Sequence, residues 1–320
     1  MGSFLDTPKT EKETERFENE RLKCAVSSMQ GWRVEMEDAH TIVMDMPQLP
    51  GFSFFAVFDG HGGSLVAKHA SGQLLTDITS AKEFHGCKTA EDLPPAITSG
   101  FLTFDRKTRD LPPIQAGADH SGSTAVSAFV TPTHYVIANC GDSRCVLSRG
   151  DGRAVWASED HKPTLESERK RIEAAGGSVS MRRVNGDLAV SRALGDYLYK
   201  QVATFPQERQ QVSCEPEVTV LKREAKDDYL ILACDGIWDV MTNEDCVQFV
   251  RKKVQRGETD LGAICEAIAD HCLGLNSRDN MTCCIVQLPG AVLPSPAVVA
   301  KYEKDKLARA AKAKEGESKA

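Results

Sequence analysis

Four aspartates stand at the ends of apolar runs, and their placement is the strongest chemical signal in the chain. Asp59 follows FSFFAVF, Asp235 follows YLILAC, Asp142 follows HYVIANCG, and Asp279 stands three residues before TCCIVQL. Strands packed in one sandwich can bring such ends together. Two carboxylates about 4 Å apart repel by roughly 4 kcal/mol at an effective dielectric of 20, so a cluster of four needs protons or cations to exist. Oxygen donors without histidine or thiolate select magnesium, manganese or calcium over zinc or copper. A single Asp-Gly is by itself an ordinary turn dipeptide; the joint pattern is what points to a site. Asp59-Gly60-His61-Gly62-Gly63 puts a carboxylate, a histidine and three glycines at the end of one apolar run. Glycines there let a carbonyl or a phosphate approach closely. Loop building accounts for the glycines equally well, but not for the histidine or the partner aspartates.

A second motif competes. His271-Cys272, followed by Arg278, has the H-C-x5-R spacing of a cysteine-dependent phosphate-transfer loop, in which a thiolate attacks and an arginine holds phosphate. That chemistry requires a strand feeding a loop that opens a helix. Here the order is reversed: Cys272 falls on the apolar stripe of an expected helix, and Arg278 leads into a strand.

The elements that must position these residues are legible as runs and periodicities. Phe52 to Phe58, His134 to Ala138, Arg144 to Leu147, Val218 to Leu221, Tyr229 to Cys234 and Thr282 to Leu288 are rich in β-branched and aromatic residues and predict strands buried on both faces. Leu261, Ile264, Cys265, Ile268 and Cys272 follow helical spacing after Thr259 as the expected cap, and Val247, Val250 and Val254 follow a Thr242-x-x-Asp245 box. Further helices are predicted over 65–78, 93–104 and 164–175. Strands and helices come in groups without strict alternation, which favours stacked antiparallel sheets flanked by helices.

Composition bounds the rest. The 320 residues are 41% hydrophobic and 27% charged with mean hydropathy -0.33, a globular composition, and no apolar run approaches the roughly 18 residues of a membrane helix. Net charge is -7; residues 301–320 carry a surplus of +3, so residues 1–300 stand at -10. That balance argues against nucleic acid as a partner. Eleven cysteines without a framework spacing are expected as buried, reduced thiols of a cytoplasmic protein. Adjacent Cys283 and Cys284 point to opposite faces if they lie in a strand. Residues 6–23 are densely charged and nearly neutral in sum, and are expected as a solvated lead-in. The Ala/Lys-rich end is expected as a terminal helix or frayed tail. The opening MGSFLDTPK lacks the apolar core of a secretory signal and presents Gly2 to N-myristoylation, although Asp6 stands where Ser or Thr is usual.

Seven motifs, RVEMEDAH (33–40), VFDGHGG (57–63), SGSTA (121–125), ANCGDSR (138–144), GDLAVSRALGD (186–196), DGIWDV (235–240) and SRDNMT (277–282), occur in an order that resembles the type 2C family of metal-dependent protein serine/threonine phosphatases. The resemblance covers roughly residues 22–290. It implies an α+β fold, two central antiparallel sheets in a sandwich flanked on both sides by helices, with a binuclear magnesium or manganese site at one end. It divides the chain into a charged segment (1–21), a catalytic domain (22–290) with a flap at about 162–196 beside the site, and a tail (291–320). By resemblance Asp59 bridges two ions, Gly60 contributes its carbonyl, Asp235 and Asp279 complete the second ion, Glu37 and Asp38 orient water, and Asp142 with Asp235 matches a weaker third metal position. Arg33 is the expected phosphate clamp, since a guanidinium grips two phosphate oxygens in a fork. His61 is the expected acid for the departing alkoxide. The implied partners are phosphorylated proteins, met by a monomer, with membrane tethering if Gly2 is acylated; the animal-type members that this opening resembles carry that lipid. Asp187 places a carboxylate in the flap where relatives commonly have small polar residues, a candidate influence on substrate choice.

Two other readings fit less well. A phosphatase-like scaffold without turnover would be expected to have lost metal ligands, and all six acidic positions are present. A two-metal nuclease needs a basic, aromatic-rich groove that the sequence does not offer.

Overall fold

The computed structural model describes residues 4–150 and 152–317. Its centre is a pair of antiparallel sheets. The first holds six strands in the order β1 (Phe4–Glu18), β2 (Lys23–Arg33), β16 (Met281–Gln287), β15 (Asp227–Ala233), β9 (Arg144–Arg149) and β10 (Arg153–Ala157). The second holds five, β14 (Glu217–Lys222), β8 (His134–Cys140), β7 (Ala125–Val130), β4 (Ser53–Phe58) and β3 (Ala39–Val43). A small sheet of β13 (Leu194–Gly195), β6 (Gly122–Ser123) and β5 (Gly60–His61) sits at the end of the second, and β11 (Val179–Ser180) pairs with β12 (Arg183–Val184) apart from both.

Alternating burial explains the layering. Phe54, Ala56 and Phe58 face α1 (Leu65–Thr79) and α2 (Leu93–Thr108) in one apolar cluster, while Phe55 and Val57 face the other sheet. In β15 the roles divide the same way: Leu230 and Leu232 point between the sheets, Ile231 and Ala233 toward α6 (Asn243–Gln255) and α7 (Leu261–Gly274). Each buried aliphatic or aromatic side chain contributes about 1.5–3 kcal/mol, and strands loaded on both faces lock their register, because a one-residue slip would exchange the faces. Cys283 and Cys284 do point to opposite faces, one toward the helices and one between the sheets. The result is the expected four layers, helix, sheet, sheet, helix. Shorter helices are α3 (Pro112–Gln115), α4 (Glu166–Ala174) and α5 (Asp235–Trp238), and α8 (Pro296–Glu317) closes the described chain.

Two expectations are corrected. The charged stretch 6–23 is no free lead-in: most of it is β1, paired with β2 from Phe4↔Arg33 to Glu18↔Lys23. Its charges are those of an edge strand, anchored laterally by Lys12 to Asp270 (2.6 Å) and Arg16 to Asp260 (2.8 Å). The cap of α7 is Asp260, whose side chain accepts the Gly262 N–H, rather than Thr259. The expected box at Thr242 and Asp245 is present. Strands β2, β3, β7 and β10 escaped the reading of runs because serines, histidine and alanines interrupt their apolar pattern.

Candidate functional site

Register brings the acidic residues to one end of the sandwich. β15 ends beside the start of β16 (Ala233↔Cys283), β16 starts beside the end of β2 (Met281↔Met29), and β3 starts beside the end of β4 (Ala39↔Phe58). Asp235 and Asp279, Arg33, and Asp38 and Asp59 are the residues that leave those ends. Backbone approach is so close that two glycines are obligatory. A Cβ on Gly60 would sit 2.4 Å from the Glu37 carbonyl oxygen, and one on Gly236 would sit 2.0 Å from that of Asn280. Asn280 ties the entering loop to this point: its side chain donates to Gln30 O (2.9 Å) and Glu35 O (3.0 Å) and accepts from Glu37 N (2.9 Å).

The carboxylates divide by whether the protein completes them. Asp279 is paired with Arg33 (2.5 Å), Glu37 accepts the Gly63 N–H (2.5 Å), and Asp142 forms an ion pair with Lys162. Asp38 accepts from Thr282 Oγ1 at 2.6 Å through one oxygen, while its other oxygen, Oδ1, is buried without a partner. The side chains of Asp59 and Asp235 receive no hydrogen bond or ion pair from the described residues. Burial, then repulsion from Asp235, Asp38, Asp279 and Asp142, pushes the Asp59 carboxyl well above the ordinary carboxylate range. Burial and then Asp142, Asp279 and Asp239 do the same to Asp235. Burial takes Asp38 up to about 7 against the hydrogen bonds it accepts. Ligand atoms of Asp38, Asp59 and Cys234 lie within 4.8 Å of one another. The Cys234 thiol is held well above its usual pKa, first by burial and then by Asp38, Asp59 and Asp235, so it stays protonated. An orphaned buried carboxylate oxygen and two half-buried carboxylates without a direct partner fit a hard divalent cation held by oxygen.

His61 is positioned from the flap side. Its Nε2 lies 2.7 Å from Asp196 Oδ2, and a Cβ on Gly122 would fall 2.1 Å from that oxygen and 2.4 Å from Nε2. Burial opposes the imidazolium, but Asp196 outweighs it and the net shift is upward. Asp196 has a left-handed backbone (φ 52), and the preceding Gly195 N–H donates to Asp105 (2.7 Å), which also accepts from Lys200 (2.8 Å).

Sequence reasoning quoted Asp196 within a motif without a role for it, and passed over Lys162 and Asp239. Asp239 carried a usable signal, standing one helical turn beyond Asp235. Asp196 and Lys162 carried none, since their partners lie far away in the chain. The rival cysteine fails structurally. Cys272 is fully buried beside Met241 Sδ (3.4 Å), burial pushes its thiol up to about 12, and Arg278 lies over the Phe4 ring at 5.7 Å. All eleven cysteines are free, and ten are buried.

The flap region forms α4 and the β11–β12 pair over its own small core of Ile172, Val184, Val190, Ala193 and Val212. At its tip Met181 and Arg182 adopt left-handed conformations, and Met181 is 88% exposed. Asp187 is exposed and accepts a hydrogen bond from Tyr199 OH (2.7 Å).

A two-sheet sandwich that gathers carboxylates, an arginine and a carboxylate-held histidine at one end offers hard oxygen donors beside groups that can hold a phosphate and move a proton. The family model for protein phosphatase 2C matches residues 22–281. Protein phosphatase 1B of Mus musculus is 48% identical over 295 residues, 89% of this chain and 75% of that protein; protein phosphatase 1A of Homo sapiens is 47% identical over 306 residues, 94% and 80%. Among solved structures, a phosphatase from a pathogenic strain of Toxoplasma gondii superimposes with TM-score 0.74 at 26% identity, covering 88% of this chain and 96% of that one. The serine-threonine phosphatase 2C of Toxoplasma gondii, at 22% identity, shares the fold with TM-score 0.73 over 86% and 99%. The chain belongs to the protein phosphatase 2C family and is a metal-dependent protein serine/threonine phosphatase. Among the described residues, no helix is long and apolar enough to cross a membrane.

Proposed function

We propose that this chain hydrolyses phosphoserine and phosphothreonine at a pair of magnesium or manganese ions held by Asp59, Gly60, Asp235 and Asp279, with Glu37 and Asp38 ordering water around them. Asp142 and Asp235 are the residues for a weaker third ion, with Lys162 competing for Asp142. The observation that carries the reading is the pair of half-buried carboxylates, Asp59 and Asp235, whose side-chain oxygens receive no hydrogen bond or ion pair from the described residues. Bound there, hard dications neutralise phosphate oxygens and acidify water at neutral pH.

The remaining work belongs to side chains. Arg33, with Nη2 tied to Asp279 (2.5 Å) and Nη1 4.0 Å from Glu37, is the guanidinium that grips phosphate beside the carboxylates. His61, with Nε2 held by Asp196, keeps Nδ1 as the atom that carries the proton for the departing serine or threonine oxygen. The flap, with Met181 at its tip and Asp187 on its surface, is the surface for the phosphoprotein. The same reading makes the enzyme a cytoplasmic monomer that a lipid on Gly2 would tether to a membrane; Gly2 lies outside the described residues, and the intact mass of the native protein tests the lipid.

Hydrolysis of a phosphothreonine peptide after exhaustive chelation, with and without magnesium or manganese, tests the centre. Activity is expected only with metal; turnover that survives chelation overturns the assignment.

A further inference from the structure

Away from the acidic end, α8 lies across the C-terminal end of α6 and borders a solvent-open cavity of about 550 Å³. The helix is seated, not loose. Its Tyr302 donates to the buried Glu258 (2.8 Å), Lys306 reaches the same carboxylate (3.2 Å), and a Cβ on Gly257 would sit 2.6 Å from the Tyr302 Cβ. Five cations line this cavity: Lys253 and Arg256 from the end of α6, and Lys301, Lys306 and Arg309 from one face of α8. Among the described residues, Lys253, Arg256, Lys301 and Arg309 have no carboxylate partner.

Charge counting shows that the cations exceed what the fold needs. Set against Asp305 and Glu258, the five leave a surplus of three, reduced by about half a charge from the α6 C-terminal dipole. The surplus stands on a body of net charge -10, and most of it is unpaired. A single surface lysine loses little in water, but four cations without a carboxylate partner around one hollow, of which Lys253 lies over the Phe249 ring, repel one another and favour a multivalent anion.

We propose that the α6–α8 cavity binds a compact ligand bearing two or more closely spaced phosphate groups, of the inositol polyphosphate kind. The volume lies within the roughly 300–1,000 Å³ range of small-ligand sites. The charge matches a bisphosphate, whose groups each carry about -1.5 to -2 near neutrality. The Tyr302 ring and Val298 supply an apolar wall. Such a group occurs free in solution or as a lipid headgroup, and the two sources share this chemistry.

The test is calorimetric titration of the full, chelated chain with inositol hexakisphosphate and, separately, a sedimentation assay with phosphatidylcholine vesicles containing a phosphatidylinositol bisphosphate. Saturable binding is expected in at least one arm, and which arm responds identifies the source. The double variant Lys301→Glu, Arg309→Glu should weaken binding by about tenfold or more, as losing two charge-assisted contacts requires. Arg33→Ala, which alters the phosphate clamp of the catalytic end, should leave binding within about twofold. The pair Lys253→Gln, Arg256→Gln on the opposite wall should reproduce the loss, so the result does not depend on α8 tolerating charge reversal. No saturable binding in either arm, binding unchanged in both double variants, or binding lost through Arg33→Ala instead would overturn the proposal.

Discussion

Two groups of carboxylates in this protein show opposite chemistry. In the flap, Glu168 is 1% exposed and fully answered: Arg171 donates at 2.6 Å, Arg192 at 2.9 Å and Ser191 at 2.6 Å. Burial alone would raise its pKa, but the two arginines prevail and hold it down at about 2. At the sheet ends, Asp59 and Asp235 are half-buried and have no such answer, so desolvation and repulsion from neighbouring carboxylates push them up. A carboxylate that the chain completes adds to folding. One that it leaves open stores repulsion that a proton or a bound cation relieves. The contrast separates scaffold from site without reference to any relative.

The contrast is most exposed to failure at Asp59. Asp59→Asn should lower phosphothreonine hydrolysis by roughly ten-thousandfold, about 5.4 kcal/mol, while the chelated protein melts no lower than wild type, because one source of repulsion is gone. Retained turnover, or a clear loss of apo stability, would place Asp59 with Glu168 instead. Glu168→Ala should do the reverse, costing about 4 kcal/mol in denaturant unfolding by stranding two arginines. An unchanged midpoint would show that the flap cluster contributes no stability.

Acid sharpens the same comparison on the flap side. His161 is buried and pushed down to about 4, first by burial and then by Arg192. An unfolded chain takes up that proton from about pH 6.5 downward, whereas the folded one resists until about pH 4. Its contribution is therefore complete above 6.5 and is lost as pH falls toward 4, by roughly 3 kcal/mol. Glu168 acts in the same direction lower down, intact above its unfolded value and lost toward pH 2. Ring-proton NMR should show the His161 imidazole neutral through pH 5; titration near 6.5 would remove this component. The smallest effect is expected at Asp196→Asn, which frees His61 Nε2 without touching the open carboxylates. Here kcat should fall about 10–100-fold with the metal concentration for half-maximal activity unchanged, and a shifted metal requirement would show that Asp196 acts on the ions instead.

Much of this is legible in the sequence. Asp59 and Asp235 announce themselves because each terminates an apolar run, and the runs over β4, β15 and β16 predicted buried strands that are present. What escaped was carried by distant partners or by balance between layers. β1 is hydrophilic on nearly every residue, so no hydropathy pattern distinguishes it from a solvated segment; its pairing with β2 makes it a strand. Thr259 and Asp260 are both competent caps, and backbone geometry chose the second. The H-C-x5-R spacing around Cys272 was real in sequence, and burial in the helix layer removed its chemistry.

The sequence by itself determined the donor chemistry, because hard oxygen ligands are a property of residue type, and it determined the strands, because apolar alternation is local. Tertiary structure alone decided which carboxylates stay open. Asp196 reaches His61 across 135 positions, Arg33 reaches Asp279 across 246, and Lys162 reaches Asp142 by folding back from the base of the flap. Whether a buried charge is answered depends on which cation the register of two packed sheets carries to within about 3 Å, and no local pattern along the chain encodes that distance.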